Sequence, residues 1–184
     1  DWSSASYFYS IAALSDVGSE ITLSAYKAES LQGDSVLSSI YKHFGVKTTF
    51  GENTITLKKL AKSNMNVLEV DLIKAPDIAQ TIAVTCFGLG IACDLTGLHT
   101  LKIKETDRLE ALKAELTKLG AEIEVTDHSL HLQGRLQINA DIQIETYHDH
   151  RMAMAFAPLG MITSIEILDA NVVTKSFRNF WKDL

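Results

Sequence analysis

The chain has 184 residues, 46% hydrophobic and 22% charged, the balance of an ordinary globular protein long enough for one full core. Its formal net charge of −6 speaks against nucleic acid or an acidic membrane surface as the main partner. A local cluster of cations on such an acidic body suits a small anionic ligand.

The chain opens on "DWSSASYFYSIAAL" (1–14), a short polar start followed by an apolar helix rich in small residues. A strand pattern follows in "EITLSAY" (20–26). A helical pattern then runs through "VLSSIYKHF", stops at Gly45 and passes into strands at "VKTTF" and "NTITLKKL" (53–60). The same succession returns. "PDIAQTIAVTCFGL" (76–89) repeats the polar start and small-residue helix. "EALKAELTKLGAEIEV" (110–125) repeats the helix, the glycine (Gly120) and the strand, and "HSLHLQG" (128–134) closes the copy. A third helix start, "HDHRMAMAFAPLG" (148–160), begins a copy that stops early, at "RNFWKDL". Asp1, Asp77 and Asp149 lead the three copies. Self-similarity of this length means repeated supersecondary units sharing one core, each reading strand, helix, strand, helix, strand, strand. The expected fold is α/β, residues 1–184 forming one domain with three-fold pseudo-symmetry, helices inside and sheets outside.

Cys86 and Cys93 sit within one apolar run and read as reduced, buried thiols, which with the lack of a signal-peptide pattern predicts a cytoplasmic protein. The apolar run 81–93 is too short to span a bilayer, so no membrane partner is expected. The chain starts without Met and reads as a processed chain or excised fragment.

The densest chemistry lies in "LKIKETDRLEAL" (101–112). Asp107 stands at an N-cap position with Glu110 three residues later, a capping-box pattern. Leu109, Leu112, Leu116 and Leu119 then form a single apolar stripe, and Gly120 stands at C′. That leaves Lys104, Glu105 and Arg108 beside a helix N-terminus, where backbone N–H groups favour an anion. A carboxylate between two cations is either an ion-paired surface cluster or part of a site. "HDH" (148–150) has the residue types of metal ligands but no distant partner motif, so no metal is assigned. Asp77 alone reads as a cap, and Lys175 in "VVTKSF" as a surface lysine.

The blocks "DWSSASYF", "APDIAQTIA", "KETDRLEALKAELTKLGAEIE", "YHDHRMAMAF" and "VTKSF" occur in the order found in 3-phosphoshikimate 1-carboxyvinyltransferases, and the chain resembles that family, the EPSP synthases, from Asp1 to Leu184. The resemblance implies the C-terminal domain of a two-domain enzyme about twice this length, built from three βαβαββ units, with its N-terminal domain as partner. It implies transfer of the enolpyruvyl group of phosphoenolpyruvate to the 5-hydroxyl of shikimate 3-phosphate, releasing phosphate, with no cofactor, in a monomer. Within it, Glu105 is implied as the acid/base at the methylene carbon and Asp77 as the base or orienter at the hydroxyl. Arg108 and Arg151 are implied as forks for the phosphoenolpyruvate carboxylate, Lys175 for its phosphate, Lys104 for the shikimate phosphate region and His150 as a charge-tuning neighbour. All five of Lys104, Glu105, Arg108, Arg151 and Lys175 fall just before or at the start of helical patterns and are expected to cluster at one end of the domain, facing out. The chain departs from the family pattern at Thr100 and His148, where Asn is usual, and at Arg178, where proline often stands. A UDP-sugar enolpyruvyl transferase and a non-catalytic module that binds a phosphorylated metabolite are the alternatives.

Overall fold

The structure, a computed structural model, describes residues 1–27 and 30–184. The first unit comprises α1 (Trp2–Leu14), β1 (Glu20–Ser24), α2 (Leu37–Lys42), β2 (Val46–Phe50) and β3 (Thr54–Lys59). The second comprises β4 (Val67–Asp71), α3 (Ala79–Leu89), β5 (Ala92–Thr96), α4 (Arg108–Lys118), β6 (Ile123–Val125) and β7 (Leu130–Leu132). The third has β8 (Ile142–Ile144), α5 (His150–Phe156), β9 (Ile165–Ile167) and a final short α6 (Phe180–Asp183). The second unit realises the full strand, helix, strand, helix, strand, strand order. Its sheet runs β4-β5-β7-β6, with β4 parallel to β5 and the other pairs antiparallel. The first sheet, β1-β3-β2, is antiparallel, and the third pairs β8 and β9 in parallel.

Three helices, α1, α3 and α5, pack on one another and are buried nearly all round. Their sequences explain it: Ala, Ser, Thr and Gly let the helix backbones approach, and no charged stripe requires water. The α1–α3 seam is polar and paired. Ser6 Oγ and Thr81 Oγ1 lie 3.0 Å apart and Thr85 Oγ1 donates to Ser10 Oγ at 2.8 Å, each pair 75 residues apart in sequence. Positions equivalent in the repeat therefore meet face to face across the pseudo-axis. The three outer sheets and α2 and α4 cover this triad, α4 through Leu109, Leu112, Leu116 and Leu119, which are all buried as the stripe predicts.

Helix α4 starts where its sequence says. Asp107 accepts from the amides of Leu109 and Glu110, both at 3.2 Å. Glu110 returns no bond to Asp107 among the described residues, so the cap is single and the capping box does not close. At the other end Gly120 adopts φ +101°, and Ala121 N donates to Leu116 O at 3.0 Å, closing a Schellman turn.

The ends of the central helices are treated oppositely. Buried Lys59, at the end of β3, donates to Ala13 O of α1 at 2.6 Å and to Phe44 O beyond α2 at 2.7 Å. Arg135, shortly after β7, donates to Phe87 O and Gly88 O of α3, both at 2.6 Å. In two successive units a cation at or beyond the end of the last strand thus neutralises the carbonyl end of the central helix. The N-terminal ends at the other pole carry the candidate site. Lys59→Ala strands two buried carbonyls and should lower stability by about 2–4 kcal/mol, measured by chemical denaturation. Lys58→Ala, which loses only an exposed ion pair to Glu20, should stay within about 0.5 kcal/mol.

Candidate active site

Arg108, the first residue of α4, is only 2% exposed. A buried guanidinium requires partners, and it has three, each from a different segment. Its Nε donates to Asp149 Oδ2 at 2.6 Å, one terminal nitrogen to Asp77 Oδ1 at 3.1 Å and the other to Glu105 Oε2 at 2.7 Å. Asp149 is fully buried and is also the N-cap of α5, accepting from Arg151 N at 2.8 Å through Oδ1. Asp77 lies in the single 3₁₀ turn, Pro76–Ile78, that leads into α3. It also meets Arg151 at 3.2 Å and Lys104 at 3.4 Å. Six side chains from the starts of α3, α4 and α5 and the preceding loop thus form one contact network. The repeat places the N-termini of the equivalent helices α3 and α5 at one pole, and the outer helix α4 starts beside them.

Three cations (Lys104, Arg108, Arg151) face three carboxylates (Asp77, Glu105, Asp149) in this network. The charge is balanced. This corrects the expectation of outward-facing cations: Arg108 is buried, and Arg151 is 17% exposed with its guanidinium turned onto Asp77. Lys175 also departs from expectation. It sits at the end of a 3₁₀ helix, Ala170–Lys175, and not at a helix start; its Nζ donates to His148 O at 2.7 Å. That contact ties it to the residue just before Asp149, beside the network but outside it.

The environment sets the protonation of these groups. Burial by itself raises the Asp77 pKa, but Arg151, Lys104 and Arg108 together outweigh it and hold the carboxyl below its ordinary range. Glu105 is lowered chiefly by a hydrogen bond from its own backbone amide, then by Arg108, His150 and Arg151, against an opposing contribution from desolvation. Glu105 is therefore ionised near neutral pH in the ligand-free network. His150 is pushed down by burial, so its imidazole is held neutral more firmly than a free histidine's. Four buried polar groups on these elements have no hydrogen-bond partner among the described residues: the Gln80 carboxamide, one turn after Asp77, Thr100 Oγ1, one turn before Lys104, Thr146 Oγ1, one turn before His150, and His150 Nδ1.

Two participants carry little mark in the sequence. Asp149 heads the third repeat copy, and its equivalence to Asp77 is the available signal for a site role. Tyr7 is buried in α1 beside Arg151, and burial raises its pKa to about 12. A tyrosine in a central helix carries no sequence signal for that contact. Asp1 is the N-cap of α1, accepting from Ser3 N and from Ser4 Oγ, while the Ser3 hydroxyl donates to Asp34.

A βαβαββ chain with central helices whose N-termini gather charged groups is the fold of enolpyruvyl transferases. An EPSP synthase from Acinetobacter baumannii superposes with a TM-score of 0.80 at 23% identity, covering 98% of this chain and 44% of that one. An enolpyruvyl transferase from Streptomyces tendae gives 0.69 at 15% identity over the whole of this chain and 42% of its own. The family profile described as EPSP synthase (3-phosphoshikimate 1-carboxyvinyltransferase) matches residues 1–184, and the chain belongs to that family. A 3-phosphoshikimate 1-carboxyvinyltransferase of Bacteroides fragilis is 45% identical over 187 residues, and one of Methanospirillum hungatei is 35% identical over 190. The chain spans 45% and 42% of those two relatives' lengths. No helix among the described residues is long and apolar enough to cross a membrane.

Asp149→Asn keeps the N-cap acceptor but removes the charge from a buried pair. It should destabilise the chain by about 3 kcal/mol, read from the denaturation midpoint. A change under about 0.5 kcal/mol would mean the Arg108–Asp149 contact carries little.

Proposed function

We propose that this chain supplies one wall of an active site that moves the enolpyruvyl group of phosphoenolpyruvate onto the 5-hydroxyl of shikimate 3-phosphate. The observation that carries the reading is the contact network itself. Asp77, Lys104, Glu105, Arg108 and Arg151 come from separate helix starts yet share direct ion pairs at one pole, in a chain of the EPSP synthase family.

The reaction asks for opposite proton movements at two atoms. The 5-hydroxyl loses its proton as its oxygen attacks C2 of phosphoenolpyruvate, while the CH₂ carbon gains one. Phosphate then leaves as that carbon returns its proton. Asp77, kept ionised by three cations, suits the hydroxyl as base or orienter. Glu105 suits the carbon, provided it can be protonated. Its depressed pKa in the free network opposes that, and the arriving anions resolve the conflict. A carboxylate that takes over the forks of Arg108 and Arg151 withdraws cationic contact from Glu105 and raises its proton affinity. Lys175, exposed beside the network, meets the phosphate of phosphoenolpyruvate, and Lys104 reaches toward the shikimate phosphate. His150, kept neutral, donates or accepts one hydrogen bond without adding charge.

Kinship with enzymes about twice this length supports a second domain opposite this face, and transition-state stabilisation needs donors on both sides with water excluded. The partner on this reading is the remainder of the same enzyme, a monomer in the cytoplasm. The paired, buried cations of the free wall also explain why it should hold anions weakly alone: each ligand must displace a protein carboxylate. Assayed alone, the chain should show no turnover, and activity should appear on mixing with a separately produced N-terminal half. Turnover by the chain alone would overturn this division of labour. In the full-length enzyme, Glu105→Gln should reduce kcat by about 10²–10⁴-fold with little change in substrate affinity, whereas Arg108→Ala should raise KM for phosphoenolpyruvate. Near-wild-type kcat in the Glu105 variant would remove that residue from proton transfer.

A further inference from the structure

Helix α4 grips the segment before α5 twice. Arg108 holds Asp149, and two turns further along the same helix face Glu115 reaches back to residues 145–147. Glu115 is fully buried, an unusual place for a carboxylate, and it is well satisfied. Its Oε1 accepts from Tyr147 OH at 2.7 Å and its Oε2 from Glu145 N at 3.0 Å. Lys118 Nζ approaches Oε2 to 2.5 Å and also donates to Gln143 O at 3.0 Å.

The segment so held is a four-residue turn closed by Asp149 N donating to Thr146 O at 2.9 Å. Its two central residues, Tyr147 and His148, have φ of +54° and +56°. Left-handed backbone at both central positions favours Gly, Asn and Asp; a tyrosine and a histidine adopt it only when neighbouring contacts impose it. Three such contacts are present, one of them between the His148 ring and Asp169, Nδ1 to Oδ2 at 3.2 Å. Tyr147 is tethered to Glu115, and the His148 carbonyl, turned by this backbone, receives Lys175. The next residue, Asp149, leaves the turn aimed at Arg108.

We propose that Glu115 is a positioning residue: through Tyr147 it holds the 146–149 turn in its left-handed form, and the turn places Lys175 and Asp149. Glu115 touches no reacting group on this reading. Its effect reaches the site at two points at once, the carbonyl that holds Lys175 and the carboxylate that orients Arg108. Both points belong, under the function proposed above on which the kinetic part of this inference rests, to the phosphoenolpyruvate side. The loss on breaking the tether should therefore fall on that substrate and spare shikimate 3-phosphate.

Glu115→Ala would leave Tyr147 OH, Glu145 N and Lys118 without their acceptor and risks general unfolding, so Tyr147→Phe carries the test; it removes one hydroxyl and keeps the ring. In the full-length enzyme this variant should raise KM for phosphoenolpyruvate and lower kcat/KM for it by about 10–10²-fold, with KM for shikimate 3-phosphate unchanged. Adding His148→Asn, a residue that accepts left-handed backbone readily, should recover at least part of the loss. A merely structural tether would lower the active fraction, reducing kcat with both KM values intact. Amide hydrogen exchange on the same proteins gives a readout independent of turnover: the amides of Asp149 and Arg151 should exchange faster in Tyr147→Phe and return toward wild type in the double variant. If wild type shows no enolpyruvyl transfer, the functional reading fails while the exchange data still decide the positioning claim. Unchanged exchange at Asp149 and Arg151, or equal kinetic losses for both substrates, would overturn it.

Discussion

A guanidinium that is 2% exposed can exist only if its charge is answered locally, and Arg108 is answered by carboxylates from three separate segments. This one requirement organises the pole of the molecule. Asp149 must cap α5 at the angle that presents Oδ2 to Arg108, Asp77 must precede α3 closely enough to share the same cation, and Glu105 must fold back over one helical turn. Each of these positions is set by a helix start, and the helix starts converge because the three repeat units pack their central helices together. The Ser6–Thr81 and Ser10–Thr85 contacts record that packing directly, residue against its own repeat equivalent.

The opposite pole supports the same arrangement by other means. Helix dipoles aligned through one core would leave carbonyl ends crowded and unpaired, and Lys59 and Arg135 prevent that in the first two units. The N-terminal pole is then free to gather charge. In the ligand-free state that charge is balanced internally, cation against carboxylate. On the function proposed above, anions would enter by exchange with protein carboxylates, and the exchange would change the proton affinity of the carboxylates released. On that reading binding and proton transfer would be coupled through shared forks on Arg108 and Arg151.

Much of the architecture is legible in the sequence because the repeat is long and its punctuation is physical. Gly45 and Gly120 both take positive φ after their helices, and Asp107 caps α4. The leucine stripe of α4 is buried as its spacing requires. The gathering of Lys104, Glu105, Arg108 and Arg151 is also readable, since all four stand at or just before helix starts, and Asp77 joins them in the structure. Which way each charge points is not. Periodicity places Arg108 at a helix start but says nothing of a buried Asp149 41 residues away that draws the guanidinium inward. Nor does it reveal that Lys175 ends a 3₁₀ helix and reaches a carbonyl. Tyr147 and Glu115 are silent for the same reason: each acts through long-range hydrogen bonds, and isolated contacts leave no pattern along the chain.

The central claim is that shared cations, joined at Glu105 by a backbone hydrogen bond, hold the site carboxylates below their ordinary pKa values in the free protein. It is tested most directly by carbon-detected NMR titration of the chain with labelled Asp and Glu side chains, in wild type and in Arg108→Gln. The account predicts that Asp77 and Glu105 titrate below their ordinary values of 3.8 and 4.5, and that both move upward when Arg108 is neutralised. Either carboxyl titrating at or above its ordinary value, with no response to the loss of Arg108, would contradict it.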